Sequence, residues 1–394
     1  MTTTIACQSS LLSLPPELRL QIYETFLVDH VRVVRRQQPS NKHLQLLEVC
    51  STTNREARGL LRRYVSLHRE LQIRQFLERV SEGHANEIRW VDVANDARVV
   101  RLELDTAPVS WLYQALYRIP SIRQLRVFDC RQWFPVDFHG SGGQISIRFE
   151  EAMFPLASPR LVSYELHTSA NIHIEAFRTV DPSGLVSLRL SGSCVLAQGT
   201  TFPNLRHLTL FGIKGNYFDL RALETAFSGC QLESFSYTQD RLGFEMRDHM
   251  LDGLVHSVGR SLRKLVLLGC SRITTRALAD CLRATSLLRY LALSLVVVHE
   301  LSHQFVFVLP DSLEVLKIQL ANSWYTVSKI NEERGVCDAL ELRLVHHLPQ
   351  LKHLALSLQN TLLQEGGRRG RWLEVAKARH ITLKFGAWEE DEEI

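Results

Sequence analysis

Apolar residues recur along most of this chain in one six-position figure: an aliphatic residue, two variable positions, a second large apolar residue, one variable position, and a third. The clearest copy is Leu262-Arg-Lys-Leu-Val-Leu267, followed by Cys270 and Ile273. Its fourth and sixth positions lie two apart and so face the same way on a strand, whose side chains alternate. The figure starts again at Val99, Ile122, Leu161, Leu185, Leu205, Leu232, Leu288, Leu313 and Leu351, and in degenerate form at His380. Successive starts are separated by 23, 39, 24, 20, 27, 30, 26, 25, 38 and 29 residues. Between the strands the spacing turns helical at 111–119, 220–227, 246–258, 275–282 and 334–348. Thr274 or Thr275 is placed to cap the fourth of these helices.

A period of roughly 20–29 residues carrying this figure is that of a leucine-rich repeat. One unit cannot bury its own apolar face, so each copy implies neighbours stacked on both sides. The expected fold class is α/β: a leucine-rich-repeat solenoid, a curved parallel sheet with outer helices. The two long steps hold insertions or a coil without a visible figure. A doubly wound sheet would want longer apolar runs and glycine-rich phosphate turns, and the sequence has neither.

The first 65 residues follow another pattern. Leu18, Ile22 and Phe26 recur at helical spacing behind Leu14-Pro15, with Leu20, Tyr23 and Leu27 on an adjacent stripe. A polar, arginine-containing stretch over 30–42 separates this helix from a second over 44–61, and a third is expected over 64–80. Residues 81–86 read as a turn. The string Leu14-Pro-x-Glu17-Leu18, then Ile22-Tyr23, then Leu47-x-Val49-Cys50 with Asn54-Arg55-Glu56-Ala57 behind it resembles an F-box, in the form common in fungal proteins. The polar stretch and the lack of a tryptophan after Val49-Cys50 depart from that pattern. The run Leu267 to Leu278 is similar to the cysteine-containing repeat subtype that often follows an F-box. The resemblance implies a small all-α domain that docks on a Skp-type adaptor of cullin-RING (SCF-type) ubiquitin ligases through Leu14, Pro15, Glu17, Leu18, Ile22, Tyr23, Phe26, Leu47, Val49 and Cys50. The competing reading is a helical cap that protects the first repeat. Residues 1–80 carry twelve Lys/Arg against seven Asp/Glu, an excess of five that favours an acidic partner.

Composition changes little in this picture. The chain is 45% hydrophobic and 22% charged, with a net charge of +4 that argues against nucleic acid as a partner. Eight scattered cysteines form no C-x-x-C and read as buried, reduced thiols. No signal-peptide pattern opens the chain and no apolar run reaches the ~18–20 residues of a membrane span, so cytoplasm or nucleus is expected and no membrane partner. Gly140-Ser-Gly-Gly143 lacks the lysine of a phosphate loop, no G-x-S-x-G or H-E-x-x-H occurs, and His346-His347 cannot share a helix face. No catalytic residue, metal site or cofactor is expected. The Gly366–Arg371 run, with three arginines, reads as a mobile loop within 360–371 that suits acidic or phosphorylated peptides better than nucleic acid.

The expected organisation is a disordered arm over 1–10, the F-box-like domain over 11–65, a helical linker and cap over 66–98, repeats over 99–388 and an acidic tail over 389–394. Side chains between the repeat leucines line the inner strand face and form the candidate substrate surface: Arg101, Arg123, Arg126, Arg189, Arg206, His207, Lys264, Tyr290, Lys317 and His353. That stripe is basic to neutral and suits a protein substrate with acidic or phosphorylated groups. The expected function is a non-catalytic substrate receptor of a ubiquitin ligase; the alternative is an interaction scaffold with the same repeats and a helical cap.

Overall fold

The structure is a computed structural model. It describes residues 11–31, 39–95, 111–129, 146–147, 150, 153–154, 159–168, 173–214, 225–239, 245–297, 301–322 and 329–388. The figure at Val99, with Arg101, the arm over 1–10 and the tail over 389–394 lie outside them. The chain is α/β. It packs as two compact units, residues 1–141 with 148–164 and 178–181, and residues 142–147 and 165–177 with 182–394.

In the first unit, α1 (Pro16–Val31) starts on a proline whose missing N–H the first helical turn does not need. Its buried face is Arg19, Tyr23, Leu27 and Val31, one residue every four. The helix is therefore rotated from a packing on Leu18, Ile22 and Phe26, which face solvent. Arg19 fixes this rotation. Its guanidinium donates to Glu56 Oε2 at 2.8 Å and Oε1 at 2.5 Å, and to the carbonyls of Leu12 and Leu14. The helix expected over 44–61 is two elements, a 3-10 helix Lys42–Glu48 and α2 (Ser51–Leu61). Cys50 interrupts it with extended backbone, and its Sγ accepts the Thr53 N–H at 3.4 Å. Tyr23, Leu27, Val31, Ala57, Leu61 and Tyr64 form a small core, with Leu44, Leu47 and Trp90 packed against it.

The helix expected over 64–80 begins only at Glu70: β1 (Tyr64–Leu67) precedes α3 (Glu70–Arg79). The expected turn is α4 (Glu82–Glu87). Then follow β2 (Trp90–Asn95), α5 (Trp111–Tyr117) and β3 (Gln124–Asp129). All ladders are parallel, with Tyr64 beside Trp90, and Asp92 beside both Ser66 and Arg126. Parallel strands thus begin at Tyr64, before the first visible repeat.

The next strand, β4 (Ser163–His167), begins in the first unit and ends in the second. The second unit continues with β5 (Ser187–Ser191), β6 (His207–Phe211), β7 (Ser234–Thr238), β8 (Lys264–Cys270) and β9 (Tyr290–Val297). It ends with β10 (Val315–Asn322), β11 (His353–Ser357) and β12 (Thr382–Phe385). Within each unit strand order follows chain order. Each of these strands opens two residues after the first residue of its figure, and the leucines at 185, 205, 232, 262, 288 and 313 are fully buried. The second position carries the rung-to-rung joint. The Arg206 carbonyl accepts from both Glu233 and Ser234, and those of Glu233, Arg263, Arg289 and Glu314 repeat the arrangement.

The returning helices are α6 (Asp248–Val258), α7 (Thr275–Ala284), α8 (Gln304–Phe307) and α9 (Ile330–His346). Thr274 caps α7, its Oγ1 accepting the Ala277 N–H at 3.2 Å. The 38-residue step holds the 17-residue α9. The 39-residue step holds Ser146–Ile147, which begins a second parallel sheet with His173–Ala176 and Ser193–Leu196. The stretch expected as a mobile loop is α10 (Asn360–Gln364) and α11 (Arg368–Ala378), joined through Gly366 and Gly367 at φ +55° and +70°, a left-handed pair that favours glycine. Arg368 is buried against Asp338 and Glu341 on α9, and Arg371 donates to Glu341 as well. These arginines hold two helices together.

Candidate functional site

Two surfaces carry the residues singled out by sequence. The first is the outer face of α1. Leu18, Ile22 and Phe26 are 45%, 42% and 40% exposed and stand one turn apart. Pro15 and Glu17 are exposed at the helix start and Leu14 is half-buried. The core does not use this stripe, since the opposite face supplies it: Tyr23, counted with the stripe on sequence, is wholly buried in that core and offers no surface. Leu47 packs on the same core, Val49 is 69% exposed, and the half-buried Cys50 is the cap of α2. The hydrogen bond from Thr53 holds the Cys50 thiol below its ordinary range. Burial pushes those of Cys230, Cys270 and Cys281 up.

The second kind of surface is, in each unit, the open face of its strands, made by the third and fifth positions of each figure. It is not one basic stripe. In the first unit Arg126 is buried: Nε and Nη2 donate to Asp92 at 2.7 and 2.6 Å, and Nη1 donates to the Val31 carbonyl at 2.7 Å. Tyr64 Oη adds a hydrogen bond to Asp92 at 2.8 Å, and the Trp90 ring lies 4.7 Å from the guanidinium. Burial, then the Asp92 charge, pushes the Tyr64 phenol upward. Arg126 is therefore the joint between α1 and the strands, not a substrate contact. Arg123 and Arg206 take the second position, ahead of their strands, where Arg206 pairs with Glu233 at 3.1 Å. Glu314 lies in the same edge row with Lys352 at 2.7 Å and Arg289 at 3.6 Å, and the Lys352 hydrogen bond holds its carboxyl below the usual range.

The second unit keeps more of the expected face. His207 is exposed, and Arg189 is half-buried over the Phe211 ring at 4.8 Å. Lys264, Tyr290 and His353 are half-buried at third positions. Along the middle of the face the fifth positions are small or covered: Ser236, Val266, Ala292, Lys317 and Ala355 are all buried. The cover includes Trp388, 7% exposed, which clusters with Val266, Ala292 and Ala355. Lys317 is 2% exposed, its Nζ 5.7 Å from the Tyr290 ring and 5.8 Å from the Trp388 ring. Read from sequence as the start of a solvated acidic tail, Trp388 is instead packed on the strand face. The signal that points to it is the run of small fifth-position residues on β8, β9 and β11, which leaves room for a large ring.

A groove of about 910 Å³ opens between α6 and α7, lined by Asp248, Asp252, His256, Arg260, Arg276 and Asp280. Asp280 pairs with Arg283, and His256 Nδ1 lies 3.8 Å from Asp252 with both side chains at the surface. Among the described residues no group of three or more His, Cys, Asp or Glu could hold a metal ion, and no helix is long and apolar enough to cross a membrane. No protein-family model and no curated protein matches the chain.

Proposed function

We propose that this chain is a non-catalytic substrate receptor of an SCF-type ubiquitin ligase, an F-box module followed by a leucine-rich-repeat solenoid. In this reading α1 docks on a Skp-type adaptor and the open strand face holds a protein substrate. The observation that carries it is the exposed Leu18–Ile22–Phe26 stripe on a helix whose other face is already packed. A second apolar face on a short helical module is what a docking site needs and a free-standing cap does not. Binding energy from such a groove-filling helix comes from anchors one turn apart. The receptor needs no chemistry of its own: holding the substrate beside the loaded ligase raises the effective concentration of its lysines.

Purified Skp-type adaptor should bind the full chain, and Leu14→Ala, Pro15→Ala or Ile22→Ala should weaken that binding without loss of fold. An adaptor that does not bind the wild-type chain sinks this reading. One observation favours the scaffold reading instead. Val31, Tyr64 and Trp90 knit the N-terminal helices to the first strands, as a cap would.

A further inference from the structure

The segment after the last strand returns onto the open face. The chain leaves β12 at Phe385, and Gly386 N–H donates to the Leu356 carbonyl at 2.9 Å. Gly386 has φ +110°, a conformation that a residue with a Cβ rarely adopts, and two residues later Trp388 is buried over the middle of the face. The floor beneath it is Val266, Ala292 and Ala355, with Leu268 and Tyr290 packed beside them. Trp388 Nε1 lies 3.4 Å from the Ile318 carbonyl. Two lysines border the seat: Lys317, and Lys264 with its Nζ 4.9 Å from the Tyr290 ring. The residues that follow Trp388 in sequence are Glu389, Glu390, Asp391, Glu392 and Glu393. A large aromatic ring, followed in sequence by five carboxylate residues, thus fills an apolar seat bordered by two lysines.

We propose that Trp388, carried on residues 386–388, is a built-in competitor for this face, and that the partner it excludes is a peptide of the same sequence chemistry, a bulky aromatic residue followed by several carboxylates. Small fifth positions make the seat, the aromatic ring is the anchor, and the half-buried Lys264 at its border favours an acidic flank. The segment is tethered three residues from its seat, so it holds the face at high effective concentration until a partner outcompetes it. The inference rests on the open face as the partner-binding surface and is independent of adaptor binding.

The test uses the full chain, wild type and Trp388→Ala, and a fluorescein-labelled synthetic peptide with the sequence of residues 385–394, followed by fluorescence anisotropy. Removing the internal occupant raises the fraction of open face, so the Trp388→Ala chain should bind the peptide about tenfold or more tighter than wild type. A peptide with its five carboxylates replaced by amides should bind several-fold more weakly. A folded Trp388→Ala chain that takes up the peptide no better than wild type makes Trp388 a structural plug and overturns the proposal. Equal binding of the amide peptide overturns the acidic partner class. Should Trp388→Ala fail to fold, the chain with Glu389, Glu390, Asp391, Glu392 and Glu393 changed to their amides decides: a gain in peptide binding supports the competitor, and none overturns it. Adaptor binding is measured on the same preparations. Adaptor binding without a peptide gain overturns this inference alone, and a peptide gain without adaptor binding overturns the ligase reading alone.

Discussion

Two stretches of open strand face put a buried cation at the same position of the figure, the fifth, and close over it in different ways. At β3 the cation is Arg126, held by both Asp92 oxygens and by the Val31 carbonyl from α1. At β10 it is Lys317, between the rings of Tyr290 and Trp388. The guanidinium is bound by directed, charge-assisted hydrogen bonds in a fixed fork, and its cover is a helix inside the unit's own core. Among the described residues the second cover includes the Trp388 ring, on a short segment beyond β12, which meets its floor through apolar and cation–π contacts. The same slot therefore serves as a permanent joint in one place and as an exchangeable seat in the other.

The joint should break hardest. Asp92→Ala leaves Arg126 buried without its carboxylate and should cost about 3–5 kcal/mol, read as a shifted urea midpoint of the first unit. Tyr23→Ala should cost a similar ~3–5 kcal/mol by opening a cavity, whereas Ile22→Ala, one residue away on the solvent side, should stay within about 0.5 kcal/mol. Equal costs at 22 and 23 would contradict the rotation of α1 described above.

Protonation sharpens the comparison next. His43 and His68 are buried in the first unit, and desolvation pushes each imidazole down to about 4, below its ordinary 6.5. The unfolded chain then binds more protons between those values. Stability is fully present above pH 6.5 and falls as pH drops towards about 4, by on the order of 2–3 kcal/mol for each ring. Urea titrations at pH 7.5 and 4.5 should show the loss, and the double change to glutamine should flatten it. The smallest effect belongs to a local cap. Thr274→Ala removes the bonds to Ala277 and Asp248 and should cost about 1 kcal/mol, seen as faster amide exchange in the first turn of α7.

Sequence legibility divides along the same line. The strands from β3 to β12 were readable because one face of each carries large apolar residues at alternate positions, a pattern that survives irregular spacing. The first two were hidden because Tyr64, Ser66, Trp90 and Asp92 fill the other face, so burial on both sides erases the alternation. Leu67, Leu71 and Phe76 then mimicked one longer helix. Arg126 read as surface because its partner is 34 residues away, and that distance closes only once the strand register is known. Arg368 and Arg371 read as a loop for the same reason, their carboxylates lying 27 to 30 residues back on α9. The outer stripe of α1 was found, but its rotation was not, since two adjacent stripes were both apolar and only Arg19 with Glu56 decides which goes inside.

The joint at the second position sets the unit in which this chain can change length. Each such carbonyl collects the two N–H groups that open the next strand, so the donors on that edge are satisfied one rung at a time. A single inserted residue between the first leucine and the strand would strand both donors and turn the leucines outward. Removal of a whole rung, for instance the 25 residues from Leu288 to Ser312, brings a like carbonyl against like donors. Changes of length in this part of the chain should therefore be tolerated as whole segments, each adding or removing one strand of the open face.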